Sequence, residues 1–170
     1  MEKTARRRLW WWLPAALWMG LIFFFSAQSG EQSGQLSGGL TYWLVSHLTP
    51  GWAGWSEEAR AARLALCHLL VRKTAHGTEY AVLGALLFLA FRNTFCSKNS
   101  KSALWAALIG LLYAALDEGH QALVPGRGPA VTDVLIDFGG VLLGVAFLWL
   151  LARRKDRRKR KNPKPGEESL

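Results

Sequence analysis

Residues 9–25 read LWWWLPAALWMGLIFFF, seventeen positions without a charge, and the uncharged stretch continues to Gly30. At about 1.5 Å of rise per residue, a helix over this stretch crosses a bilayer core of roughly 30 Å. Arg6, Arg7 and Arg8 precede it, an arrangement shared with secretory signals. The apolar region is long for a signal, however, and Phe25-Ser26-Ala27 lacks the small residue that a cleavage site carries at its first position. The stretch is therefore expected to be a retained membrane anchor.

Three more apolar blocks follow, at about 72–91, 102–121 and 132–152. Each carries polar groups near one end, so it is their number and spacing that predict the fold. The expectation is an all-α, polytopic membrane protein with four transmembrane helices at about 9–28, 72–91, 102–121 and 132–152. Residues 1–152 then form the membrane domain, and residues 153–170 a basic, disordered cytoplasmic tail. Charge supports the count. The basic segments are Lys3 with Arg6–Arg8, then Arg92, Lys98 and Lys101, and finally RRKDRRKRK at 153–161. Four spans place all three on one side, and short basic segments mark the cytoplasm. Both termini are thus expected inside. The formal charge of +9 comes mostly from the two ends, which fits orientation and attraction to anionic lipid. The expected partner is the lipid bilayer and not nucleic acid. Cys67 and Cys96 fall on opposite sides, cannot pair, and receive no role.

The first outer loop is long. Its opening, SAQSGEQSGQLSGG at 26–39, has the composition of a flexible linker. LTYWLVSHL and then TPGWAGW follow, and their Trp and Tyr suit the membrane interface. From Ser56 the chain reads as a helix, with Ser56 as its cap and Glu57 and Glu58 in its first turn. The loop is therefore expected to contain interfacial helical segments, the last one amphipathic and leading into the second span.

The polar residues of the spans are patterned. In RKTAHGTEY (72–80), Arg72, His76, Glu79 and Tyr80 share one side of a helix, with Lys73 beside Tyr80. In YAALDEGHQALVPGR (113–127), Tyr113, Asp117 and Gln121 are four apart and form one line facing inward, flanked by Glu118 and His120. In TDVLIDFGG (132–140), Asp133 and Asp137 are four apart, and Gly140 and Gly144 continue their face as a small-xxx-small seam. Four spans bring all these groups, with Ser26 and Gln28, to one depth on the outer side. Isolated charges there cost about 2.5–3.5 kcal/mol each on insertion scales, so they are expected to face one another in a single pocket. Arg127, in the turn VPGRGP, is expected to sit across the top, where its planar fork suits carboxylate or phosphate. Arg72, Glu118 and His120 serve equally well as charges that reach water.

The segments FSAQSGEQS, RKTAHGTEYAVLG and LDEGHQALVPGRGPAVTDVLIDFGGVLLG resemble the VanZ-like family of bacterial integral membrane proteins. The family pattern is Phe-Ser-x-Gln, Arg-Lys-x-x-His-x-x-Glu-Tyr, Asp-Glu-x-x-Gln with Pro-Gly-Arg, and Asp-x-x-x-Asn/Asp-x-x-Gly. The resemblance implies Ser26, Gln28, Ser33, Lys73, His76, Glu79, Tyr80, Asp117, Glu118, Gln121, Arg127, Asp133 and Asp137 as site residues. It also implies a bacterial cytoplasmic membrane and a link to reduced susceptibility to teicoplanin-type glycopeptide antibiotics.

Several functions fit such a pocket. One is binding or modifying an amphiphilic envelope component, such as a lipid, a lipid-linked precursor or a lipoglycopeptide. Its acid–base groups would be His76 with Glu79, or Asp117 with Asp133, while Lys73 and Arg127 would hold anionic oxygens. Ser26, Gln28, Ser33, Tyr80, Glu118, Gln121 and Asp137 would complete the binding surface. A metal-assisted version would use Glu79, Asp117, Asp133 and Asp137 with His76 or His120, a set suited to Mg, Ca or Mn rather than Zn. The alternatives are a non-catalytic binder that sequesters such amphiphiles, and a transporter of small solutes or ions. The inner halves of spans two to four carry no charge, which opposes the transporter. Whether the chain is an enzyme stays open at this level.

Overall fold

The computed structural model describes residues 9–95, 98–128 and 130–161. Lys3, Arg6–Arg8, Cys96 and the end of the tail lie outside the described residues. Five α-helices follow one another: α1 (Leu13–Ser26), entered through a 3-10 turn at Trp10–Trp12, α2 (Gly30–Leu48), α3 (Glu57–Phe95), α4 (Asn99–Gln121) and α5 (Val131–Lys161). There is no strand among the described residues. Helices satisfy their own backbone polar groups, which is what a bilayer interior requires.

Three of these helices, α3, α4 and α5, are long and apolar enough to cross a membrane. The segment Trp10–Ser26 and α2 pass the same criterion only together, as a pair bent by 101°, so the candidate spans number three, or up to four if that pair is one span. Large apolar side chains such as Leu17, Phe24, Leu112, Leu143 and Phe147 are exposed on the outer faces, as expected of helices solvated by lipid tails. The chain is an all-helical membrane protein.

Two sequence expectations are corrected. The linker-like stretch from residue 26 is mostly helical. Ser29 and Gln32 form a reciprocal capping box that starts α2 at Gly30, so local capping overrides the Ser/Gly composition. Within the tail expected to be disordered (153–170), residues 153–161 continue α5 as helix, and the rest lies outside the described residues. The segment from Ser56 is helical and leads into the second apolar block, as expected: Ser56 caps it (Ala59 N–H to Ser56 Oγ, 3.3 Å), and the two form one continuous 39-residue helix, α3. At about 1.5 Å per residue, α3 is nearly 60 Å long, so its N-terminal half extends well past one bilayer crossing. α2 packs along that half, with Ser37 Oγ 2.7 Å from His68 Nε2.

The core is the seam between α3 and α5, with α4 closing the third side. The glycines set its depth, as their spacing predicts. A Cβ on Gly140 would strike the carbonyl of Gly77, and one on Gly144 the carbonyl of Ala81. On the facing helix, Gly84 lies against the backbone of Val141, whose side chain also fills the space in front of Gly110. The backbones therefore approach as small-residue faces in membranes do. Tyr80, Leu83, Leu87 and Phe88 of α3 and Val141 of α5 are fully enclosed below this seam.

α1 is fastened to the other helices by side chains reaching its partners' main chain or its own. Trp18 Nε1 donates to the carbonyl of Glu79 at 2.8 Å, and the Tyr113 hydroxyl donates to the carbonyl of Met19 at 2.6 Å. At the opposite, basic end, Asp156 ties three helices together. It accepts from Asn99 Nδ2 of α4 at 2.8 Å and pairs with Arg92 of α3 at 3.4 Å.

Candidate functional site

The polar residues of α3, α4 and α5 meet at one end of the bundle, with the end of α1 and the turn before α5. The turn is built by local sequence. In Val124-Pro125-Gly126-Arg127 the Arg127 N–H returns to the Val124 carbonyl at 3.2 Å, and Gly126 takes φ +75°. Pro followed by a left-handed Gly is the pattern of a type II turn. The Gly30 N–H donates to the Pro125 carbonyl at 3.2 Å, and a Cβ on Gly30 would strike the Gly126 carbonyl. The start of α2 is thereby locked to the turn.

Arg127 then reaches across the top, as expected. Its Nε donates to the Gln28 carbonyl at 3.0 Å, Nη1 to Gln121 Oε1 at 2.9 Å and Nη2 to the Phe25 carbonyl at 3.2 Å. Burial, followed by the like charge of Arg72, pushes the Arg127 pKa down. An arginine still carries its proton near neutral pH, so two guanidinium charges stand close together. Gln121 continues the chain of contacts by donating to Asp117 Oδ2 at 3.0 Å.

Two hollows open on either side of this arrangement. The one on the α5 side, about 150 Å³, is bordered by Lys73, Asp133, Ile136 and Asp137. The one on the α1 side, about 250 Å³, is bordered by Ser26, Gln28, Ser33, Glu79 and Asp117. Arg72, His76 and Arg127 border both and stand between them.

In the α5-side hollow Lys73 Nζ lies 2.6 Å from Asp133 Oδ1, an ion pair whose side chains are about a third exposed (34% and 38%). His76 Nδ1 is 3.9 Å from Asp137 Oδ1. Asp137 is 1% exposed and Asp117 4%, yet Oδ1 of each has no hydrogen-bond partner, nor do the buried Ser26 Oγ and Tyr80 hydroxyl. A buried polar atom without a partner costs about 1–3 kcal/mol, so four of them around one site call for explanation.

The expected residues fall into groups. His76, Glu79, Asp117, Ser26, Gln28, Ser33, Lys73, Arg127, Asp133 and Asp137 border the hollows. Gln121 positions Arg127 and Asp117 from behind. Glu118 works elsewhere: its Oε1 accepts from the Ala130 N–H at 2.7 Å and secures the entry to α5. Tyr113 was expected on the inside of the pocket, but its hydroxyl is engaged by the Met19 carbonyl. His120 leans on the Phe23 ring, centroids 4.6 Å apart.

The anticipated pairings also change. Asp117 and Asp133 border different hollows, the nearest carboxylate to His76 is Asp137, and Asp133 is engaged by Lys73. Among the described residues no three His, Cys, Asp or Glu side chains form a group that could hold a metal ion. Arg72, which the sequence reads equally well as a charge that reaches water, borders both hollows. Its place on the stripe with His76 and Glu79 was the available signal, but a charge at a helix end reads as solvated.

No curated protein and no solved structure matches the chain. The VanZ/LLP1 family model matches residues 11–152, and the chain belongs to that family.

Proposed function

We propose that this protein is a head-group receptor in a bacterial cytoplasmic membrane. In this reading four spans leave both termini in the cytoplasm, and the two hollows open toward the outer leaflet. They take the head group of an amphiphilic envelope component, a lipid, lipid-linked precursor or lipoglycopeptide, while its tail stays among the lipids. On this reading, altered susceptibility to teicoplanin-type antibiotics would follow from capture or exclusion of an amphiphile at the membrane surface.

The observation that carries the proposal is the pair of partnerless carboxylate oxygens, Asp117 Oδ1 and Asp137 Oδ1, buried beside hollows that share Arg72, His76 and Arg127. Such atoms are stabilised by a ligand that brings donors. A second reading is favoured by one contact. His76 Nδ1 at 3.9 Å from Asp137 Oδ1 is the start of an acid–base pair that a bound head group would tighten.

Comparative analysis of lipids and peptidoglycan precursors tests both, in cells with the protein, without it, and with Asp117→Asn. Binding predicts an amphiphile that co-purifies with the protein and is lost from the variant, with no chemical change in the envelope. An envelope component altered only by the unmodified protein replaces binding with catalysis. A topology reporter at residue 45 located in the cytoplasm refutes the outward-facing arrangement altogether.

A further inference from the structure

The cations of the site are not equivalent. The Lys73 ammonium is neutralised by Asp133 at 2.6 Å. Arg127 spends three of its N–H groups on uncharged oxygens of Gln28, Gln121 and Phe25. Arg72 is half-buried, borders both hollows, and makes no hydrogen bond or ion pair with another described residue. Two guanidinium groups therefore border one space, and no carboxylate is bonded to either. In a pocket already rich in acids, this is an unusual use of charge. It is accounted for if a ligand supplies an anion.

The anion's surroundings narrow its chemistry. Guanidinium forks match the tetrahedral spread of phosphate oxygens and bind them through several donors at once. To either side, Asp117 Oδ1 and Asp137 Oδ1 lack donors. A fully ionised phosphate has only acceptors and leaves them unsatisfied, whereas hydroxyl or ammonium groups attached to it do not.

We propose that Arg72, with the remaining donors of Arg127, forms a phosphate-binding fork between the two hollows, and that the head group is a phosphate ester bearing hydroxyl or ammonium donors for Asp117 and Asp137. This deepens the head-group reading and rests on it. It makes Arg72 a binding residue, a role the motif alone does not assign.

The full chain in detergent is titrated with dihexanoylphosphatidylglycerol, with dihexanoylglycerol, which lacks the phosphate, and with inorganic phosphate at constant ionic strength, by calorimetry. The expected result is binding of the phosphatidylglycerol at least about tenfold tighter than of the neutral lipid, on the scale of charge-assisted hydrogen bonds. Arg72→Gln removes that preference and Arg72→Lys keeps part of it. Arg63→Gln, on the same helix but bordering neither hollow, leaves it intact and excludes a general surface-charge effect. Inorganic phosphate bound as tightly as the lipid, and lost in Arg72→Gln, supports the fork with free phosphate as its source. A folded Arg72→Gln protein that retains the preference overturns the proposal. So does equal binding of both lipids by the unmodified protein. If Asp117→Asn then abolishes that equal binding, the head-group reading survives without the phosphate. If the unmodified protein binds no probe, the phosphate fork falls, and the head-group reading is decided by the co-purification test above.

Discussion

Gly144→Ala isolates the close approach on which the site's geometry depends. Gly139→Ala is its control, because the two residues lie on the same helix and a Cβ on Gly139 meets nothing within 4 Å. Both substitutions gain the same helix propensity, about 0.5–1 kcal/mol, so that term cancels in the comparison. What remains is the contact at Gly144, where the new Cβ meets the Ala81 carbonyl and the atoms behind it. These are backbone atoms of a helix interior, so no rotamer change relieves the overlap and α3 and α5 must separate. Overpacking of this kind costs about 1–3 kcal/mol. For a chain of this size each kcal/mol shifts the unfolding midpoint by roughly 2–4 °C. Gly144→Ala should therefore melt about 2–12 °C below Gly139→Ala, measured by tryptophan fluorescence in one detergent at one protein concentration. The separation should also lengthen the Lys73–Asp133 and His76–Asp137 contacts, which join the same two helices. Equal midpoints for the two variants would refute the claim that backbone contact sets the seam.

Three other outcomes follow from the contacts around the site. Arg127→Lys should behave nearly like Arg127→Ala, raising hydrogen exchange over residues 26–32 by about tenfold or more, because one ammonium cannot reach the Phe25, Gln28 and Gln121 oxygens together. A double-mutant cycle of Lys73→Met and Asp133→Asn should give a coupling of no more than about 1 kcal/mol in thermal unfolding, since a third of each side chain is exposed and solvent screens the pair. Asp156→Ala should cost about 1 kcal/mol and speed proteolysis after Arg153, because it releases α5 from both Asn99 and Arg92.

Periodicity carried much of this architecture. Arg72, His76 and Glu79 fall on one face because a helix repeats every 3.6 residues, and Gly140 and Gly144 mark the close seam for the same reason. The turn around Arg127 was legible from Pro-Gly chemistry. What escaped was set by tertiary partners. The stretch after Ser26 reads as linker until Gln32 is seen capping back to Ser29 and Gly30 is seen bonded to Pro125. Tyr113 lies on the same line as Asp117, yet the approach of the Met19 carbonyl diverts its hydroxyl to α1. Which acid each cation takes was equally hidden, because helix faces give the direction of a side chain and not the rotation of its neighbour. The lone acid within RRKDRRKRK shows the same limit: composition reads Asp156 as a minor charge, while packing makes it the knot of the basic end.

The floor of the site bears on how a ligand leaves. Beneath Asp117 and Asp137 the enclosed side chains are Tyr80, Leu83, Leu87, Phe88 and Val141, joined by Ala106 and Ala114. Apart from the Tyr80 hydroxyl this layer offers no polar atom, and carrying a charged head group through it would forfeit every contact made above. The dispersion contacts of a packed layer resist opening as well, since interiors are close-packed and repack discretely rather than deform. The exposed faces around the hollows are by contrast apolar and face lipid, with Phe24, Phe25 and Leu40 among them. On the proposed reading, a ligand with a polar head and an apolar tail enters sideways, places its head between Arg72 and Arg127, and leaves by the same mouth. That asymmetry is what the receptor reading, as opposed to a transporter, requires. A proteoliposome flux of the bound amphiphile's head group that depends on Asp117 would require a second, opened packing of Leu83, Phe88 and Val141, and would refute the closed floor as a barrier.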